Sequence, residues 1–134
     1  ILSGLRVLRR GLPWQVEVQV GDQCYRAHTA VVSNACCYGG GLMLVPETRV
    51  DKTGFRVVLF SGWRRMDVVK QVLAVVLGWR KKCESVYCLN AESVRLNSVG
   101  QSAHLQLDGD WAGRLPVSVE PDKETLPVLV PPNW

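Results

Sequence analysis

The chain has 134 residues, 47% of them hydrophobic and 21% charged, with a net charge of +4. That length suits one domain with a core of its own, and this balance excludes a disordered or fibrous chain. No stretch reaches the roughly 18 apolar residues of a membrane span; the nearest, Val68–Trp79, is short and carries Lys70 and Gln71.

The start, Ile1–Leu12, is basic and mildly apolar but has neither the apolar core nor the cleavage site of a signal peptide. Trp14–Val20 then alternates with period two, which predicts a strand with Trp14, Val16, Val18 and Val20 on one face. Gly21–Asp22 is a turn, from which Gln23–Ala27 returns as a hairpin partner. His28–Cys36 is a further apolar run with β-branched Thr29, Val31 and Val32. Leu42–Val45 is a short strand stopped by Pro46. Arg49–Thr53 reads as a polar turn closed by Gly54. Phe55–Phe60 follows as a strongly β-forming strand ended by Ser61–Gly62.

Arg65–Lys82 differs. Met66, Val69, Leu73, Val76 and Leu77 recur at helical spacing, and Val68, Val72, Val75 and Trp79 widen the stripe. Basic Arg80–Lys82 suits the negative end of a helix dipole. The spacing predicts a helix over about residues 65–81 whose stripe faces the core; the alternative is an amphipathic helix lying on a membrane. Ser85–Leu89, Ser93–Leu96, His104–Leu107, Leu115–Val119 and Leu126–Val130 complete a run of short strands. The fold class that follows is mainly β: a single-domain, two-sheet β-sandwich of short antiparallel strands with one helix.

The 5 cysteines, Cys24, Cys36, Cys37, Cys83 and Cys88, include no CxxC pair, and His28 and His104 do not complete a zinc-ligand spacing. Buried free thiols in a reducing cytoplasm are expected. In a strand, the vicinal Cys36 and Cys37 would face opposite sides. The basic residues Arg64, Arg65, Lys70, Arg80, Lys81 and Lys82 gather at the two ends of the helical segment. Without interleaved aromatics on a basic face they do not predict nucleic-acid binding.

Three short motifs remain. The segment from Asn34 to Gly41 ends in Gly39, Gly40 and Gly41, which allow positive φ and close approach of a ligand. It lacks GxGxxG spacing and a Walker lysine, and strand follows it instead of a helix N-terminus, so spacing alone favours a tight turn. Asp108-Gly109-Asp110 can be a hairpin turn or a pair of carboxylates sharing a hydroxyl proton. Asp51-Lys52-Thr53-Gly54 alone is a turn.

Taken in order, these motifs resemble the C-terminal domain of bacterial diacylglycerol kinases and related lipid kinases, a family that shares its fold with NAD kinases. The features are a strand ending in Asn34, then Tyr38-Gly-Gly-Gly41, a strand closed by Pro46, a Val-rich strand, a helix and an Asp-Gly-acid turn. The resemblance runs from about Leu5 to Pro131. It implies an enzyme of two domains, of which this chain has the second; the first, with its Gly-Gly-Asp-Gly nucleotide loop, is not in this sequence. It implies that Asp110, at the position of a Glu, deprotonates a lipid hydroxyl with Asp108 beside it. Asn34, Gly39, Gly40 and Gly41 become the cofactor-side loop. It also implies a structural Mg2+ in the turn before the Val-rich strand, where Thr53 stands at the position of an Asp and Asp51 lies two residues away. The usual acid of that strand is replaced by Arg56. ATP and Mg2+ are then needs of the full-length protein, and this domain alone is expected to bind neither and to be inert. The expected partners are a lipid substrate, the missing N-terminal kinase domain and a second copy in a homodimer. The expected location is cytoplasmic with a peripheral membrane contact.

Overall fold

A computed structural model of the chain describes residues 14–38, 42–62, 64–79, 82–125, 127 and 129. The first sheet grows from the alternation in β1 (Gln15–Val20), where Val16 and Val18 are buried while Gln15 and Gln19 face water. The Gly21–Asp22 turn folds β2 (Gln23–Ala27) back on it, with Val20 opposite Gln23. On its other side β1 pairs antiparallel with β8 (Val94–Val99), and β8 in turn pairs with β11 (Val117–Val119). The order is β11-β8-β1-β2.

The chain leaves this sheet at His28. Its backbone N–H donates to the Phe60 carbonyl at 2.8 Å, and its buried ring places Nδ1 2.8 Å from the Trp14 carbonyl. A carbonyl only accepts, so Nδ1 carries the proton. The corner starts β3 (Thr29–Ser33), which pairs with β6 (Phe55–Phe60), and β6 pairs with β7 (Val86–Ala91), in the order β3-β6-β7.

β6 is central and covered on both faces. Val57 and Leu59 enter the core between the sheets with Val16, Val18, Val94 and Leu96. Val58, pointing the other way, joins Leu44, Val45, Val75 and Val86, with Phe60 at the margin. A strand buried on both faces needs consecutive apolar residues rather than alternation, as Val57, Val58, Leu59 and Phe60 supply after Arg56. The short hairpin of β4 (Cys37–Tyr38) and β5 (Leu42–Met43) leads into Leu44 and Val45, which fill the space under the helix. The turn before β6 closes on itself: Arg49 Nε and Nη2 donate to the two carboxylate oxygens of Asp51 at 3.0 and 3.2 Å.

α1 (Arg65–Val76) lies on the outer face of the three-stranded sheet, and its orientation corrects the sequence reading. Val75, at the edge of the expected stripe, is buried with Gln71 and Ala74, whereas the main residues of that stripe face solvent: Met66 is 64% exposed, Leu73 51% and Val76 61%. The polar residues are the attachment. Gln71 Nε2 donates to Ser85 Oγ at 3.1 Å and to the Gly62 carbonyl at 3.5 Å. Asp67 accepts from the Arg64 backbone N–H at 3.2 Å, half of a capping box whose other half a guanidinium, lacking acceptors, cannot supply. The helix also ends early, at Val76. Gly78 adopts φ +69°, and Leu77 and Gly78 N–H groups close the end on the Leu73 and Val75 carbonyls. Lys82 therefore lies beyond the last helical turn, and Arg80 and Lys81 fall outside the described residues.

Other boundaries shift too. β3 stops at Ser33, whose hydroxyl accepts from Ala35 N–H at 3.1 Å and turns the chain before Cys36. Cys36 and Cys37 therefore are not alternating strand residues; their sulfurs lie 3.4 Å apart. None of the five thiols is fully buried: Cys24, Cys37 and Cys88 are exposed, and Cys36 and Cys83 are half-buried. The strand expected at Leu115–Val119 begins only at Val117, and a strand not foreseen, β10 (Asp110–Arg114), precedes it. β10 pairs with β9 (His104–Leu107) in a hairpin. The strand expected at Leu126–Val130 falls mostly outside the described residues.

Two outcomes follow. Leu59, 2% exposed, should cost about 2–5 kcal/mol on truncation to Ala, whereas Leu73→Ala should cost under about 1 kcal/mol; denaturant unfolding of both variants checks the orientation of α1. The Arg49 guanidinium bonded to Asp51 holds the Asp51 carboxyl below the ordinary aspartate range. Its folded pKa is thus lower than its unfolded one, so the pair favours the fold above the unfolded value, and that contribution fades as pH falls through the folded one. An NMR titration of the Asp51 carboxyl should show the depressed midpoint, and Arg49→Gln should return it to the ordinary range.

Candidate functional site

The Asp-Gly-acid motif is the tip of the β9–β10 hairpin. Leu107 pairs with Asp110, leaving Asp108 and Gly109 as the two turn residues. Their φ angles, +49° and +104°, are those of a type I′ turn, which asks for Asp or Asn and then Gly. Gly109 is needed for its backbone and not for space, since an added Cβ would meet nothing within 4 Å. The structural reading of this motif therefore holds, and it leaves both carboxylates exposed at the tip. Asp108 and Asp110 both lie there.

Apolar residues frame the pair. Leu107 stands directly across from Asp110, so the two side chains share a face of the ribbon at about 5 Å between Cβ atoms. Trp111 follows on the other face and is 72% exposed. These two residues escaped the sequence reading. The missed signal was local: a two-residue Asp-Gly turn requires a return strand, which makes Leu107 and Trp111 its flanking positions. A bulge between Trp111 and Gly113 spoils the alternation that would have shown that strand.

The hairpin is anchored at its root. Ala103 is buried in the inter-sheet core, its N–H donates to Ser98 Oγ at 2.9 Å, and its carbonyl accepts from Leu115 N–H at 3.1 Å. The His104 ring meets Trp14 edge to face, with centroids 6.3 Å apart. This root lies at the His28 end of the sandwich, beside Val99 and Gln15.

The other candidates gather at the opposite end. Ser33 pairs with Arg56 and Phe55 with Ala91, so Asn34 and Thr53 both leave the three-stranded sheet at its far edge. Asn34 is exposed in the bend after β3. Gly39, Gly40 and Gly41 lie outside the described residues. Gly54 must be glycine twice over: its φ is +89°, and a Cβ would stand 3.0 Å from the Ala91 carbonyl oxygen. The neighbouring Thr53 is exposed and offers a hydroxyl; Asp51 is engaged by Arg49. A hard divalent cation wants several carboxylate and carbonyl oxygens. Among the described residues no cluster of three or more His, Cys, Asp or Glu forms such a set. The donors of this turn do not fit Mg2+. A cavity of about 170 Å³ is lined mostly by polar groups, among them Gln19, Arg95, Ser118 and Glu120.

Comparisons with known proteins agree with this architecture. Three solved structures from Bacillus anthracis str. Sterne are similar to the chain. One, described as a candidate diacylglycerol kinase, superposes with a TM-score of 0.61 at 19% identity, over 89% of this chain and 40% of its own. Another of the same description gives 0.61 at 17% identity, over 87% and 40%. A diacylglycerol kinase gives 0.60 at 14% identity, over 86% and 42%. The chain thus spans about two-fifths of these structures. No curated protein matches it. No helix among the described residues is long and apolar enough to cross a membrane. The family model described as the YegS C-terminal NAD kinase β-sandwich-like domain matches residues 1–130, and the chain belongs to that family.

Proposed function

We propose that the chain is the C-terminal β-sandwich half of an ATP-dependent lipid kinase that phosphorylates the hydroxyl of a diacylglycerol-like lipid. The observation that carries this reading is the β9–β10 tip: two exposed carboxylates framed by exposed Leu107 and Trp111, in a chain of this family. An amphiphile presents a hydroxyl next to hydrocarbon, and the tip offers an acceptor next to apolar side chains.

In this role the Asp110 carboxylate accepts the hydroxyl proton as the lipid oxygen bonds to the γ-phosphorus and the bond to the ADP oxygen breaks. Asp108 is a positioning residue that orients the hydroxyl or a water. ATP supplies the phosphoryl group and is held by a domain outside this chain. Phosphoryl transfer depends on positioning and charge neutralisation, so the hairpin alone supplies too little, and the chain by itself is expected to be inactive. Asp110 is one methylene shorter than the Glu of related kinases. The same reading places the protein in the cytoplasm with a peripheral membrane contact.

A second reading, a non-catalytic lipid- or protein-binding module of the same fold, is favoured by the turn before β6, where Asp51 is tied to Arg49 and Thr53 has no carboxylate. The two separate in the full-length protein. There Asp110→Asn should lower phosphate transfer from ATP to diacylglycerol in mixed micelles by about 10²–10⁴-fold, with no change in melting because the side chain is exposed. Asp110→Glu should retain turnover. A wild type without turnover leaves the binding module, and full activity of Asp110→Asn removes Asp110 from the chemistry.

A further inference from the structure

The face that α1 turns to water is built unlike an ordinary protein surface. At 3.6 residues per turn, Met66, Val69, Leu73, Val76 and Leu77 fall within an arc of about 100°. All five are exposed, opposite the buried Gln71, Ala74 and Val75. Val72, also exposed, widens this strip, and Trp79 continues it past the helix end, 59% exposed. A 12-residue helix is about 18 Å long, so the strip is one continuous apolar surface of the kind monomers rarely leave uncovered.

Its border is basic. Lys70 flanks the strip, Arg64 stands at the N-terminal end and Lys82 beyond the C-terminal end, all exposed. The one acid of the helix, Asp67, sits on the inner side and binds the Arg64 N–H. A second copy packed face to face would meet these cations with no carboxylate from the helix to answer them. A nucleic acid would meet hydrocarbon at the centre of the face. An anionic bilayer answers both features: phosphates at the level of the lysine and arginine heads, and acyl chains under the strip, with an indole at the boundary.

We infer that the outward face of α1 is a docking surface for an anionic lipid bilayer, on which the helix lies flat. This names the surface for the peripheral membrane contact, and it stands without the phosphoryl-transfer reading, because binding to vesicles needs no turnover.

Sedimentation of the chain with phosphatidylglycerol–phosphatidylcholine vesicles tests it, with pure phosphatidylcholine vesicles beside them. The chain should bind the anionic vesicles more tightly. Val69→Glu and Leu73→Glu should each weaken binding about tenfold or more. Lys70→Glu should weaken it several-fold, and added salt should do the same. Val50→Glu, on the exposed turn before β6, should bind as the parent does. Circular dichroism establishes that each variant is folded, and Leu73→Ser replaces Leu73→Glu if it is not. The inference is overturned if the parent stays in the supernatant, if the α1 variants bind like the parent, or if binding ignores lipid charge. It is also overturned if Leu73→Glu dissolves a dimer in solution while vesicle binding persists, or if the full-length protein, with its remaining domain, does not bind.

Discussion

The burial of β6 on both faces is the constraint from which the rest of this fold follows. Val57 and Leu59 commit one face to the four-stranded sheet, and Val58 commits the other to whatever lies outside. Each fully buried Val or Leu contributes about 1.5–3 kcal/mol, so neither face can be left in water. The first face fixes the sandwich. The second requires a cover, and α1, Leu44 and Val45 provide it. Because β6 is the middle strand, its partners β3 and β7 set where both ends of the sheet open into loops. Asn34 and Thr53 leave at one end. His28, the start of the helix and the root of the β9–β10 hairpin lie at the other.

This division shows how much of the molecule was legible in its sequence. Alternation in β1 and the Gly21–Asp22 turn described the first hairpin without ambiguity, because one face is wet and the other dry. The apolar residues Val57–Phe60 of β6 were readable as a strand from their β-branched content, though they could not say what covered either face. The helix was readable as a helix and misread in its orientation. Hydrophobic periodicity assumes that polar residues point outward. In α1 the polar Gln71 points inward because Ser85 Oγ and the Gly62 carbonyl sit against the helix and need a partner. Both partners lie outside the helix, nine and fourteen residues from Gln71, so the periodicity of the helix itself does not report them. Eight of the 12 helix positions are apolar, and such a segment carries little directional information of its own.

The candidate site was legible in a different way. Asp108-Gly109 is a local instruction for a type I′ turn, and the structure obeys it. What the triplet could not say is that its return strand carries Trp111 into solvent, or that Leu107 stands across from Asp110. In the turn before β6, the sequence placed Asp51 near Thr53 but not the Arg49 guanidinium that occupies both carboxylate oxygens. Pairing two residues apart is a matter of rotamers and backbone bend, and neither is encoded by spacing.

The two unusual surfaces of the domain share a physical character. At the β9–β10 tip, charge is displayed beside exposed Leu107 and Trp111; on α1, an apolar strip is displayed inside a basic border. Among the described residues, neither Leu107 and Trp111 nor the exposed residues of the α1 strip belong to the two cores. An exposed apolar face carries a cost in association with wrong partners, and a bound partner would offset it. Both surfaces are carried by segments that depart from the His28 end of the sandwich: α1 follows β6 through Ser61–Gly62, and the hairpin follows β8 through Gly100–Ala103. On the proposed reading, a sandwich that launches a carboxylate tip and an amphipathic helix from one end would hold a hydroxyl acceptor near the boundary between water and hydrocarbon, where the hydroxyl of an amphiphile resides.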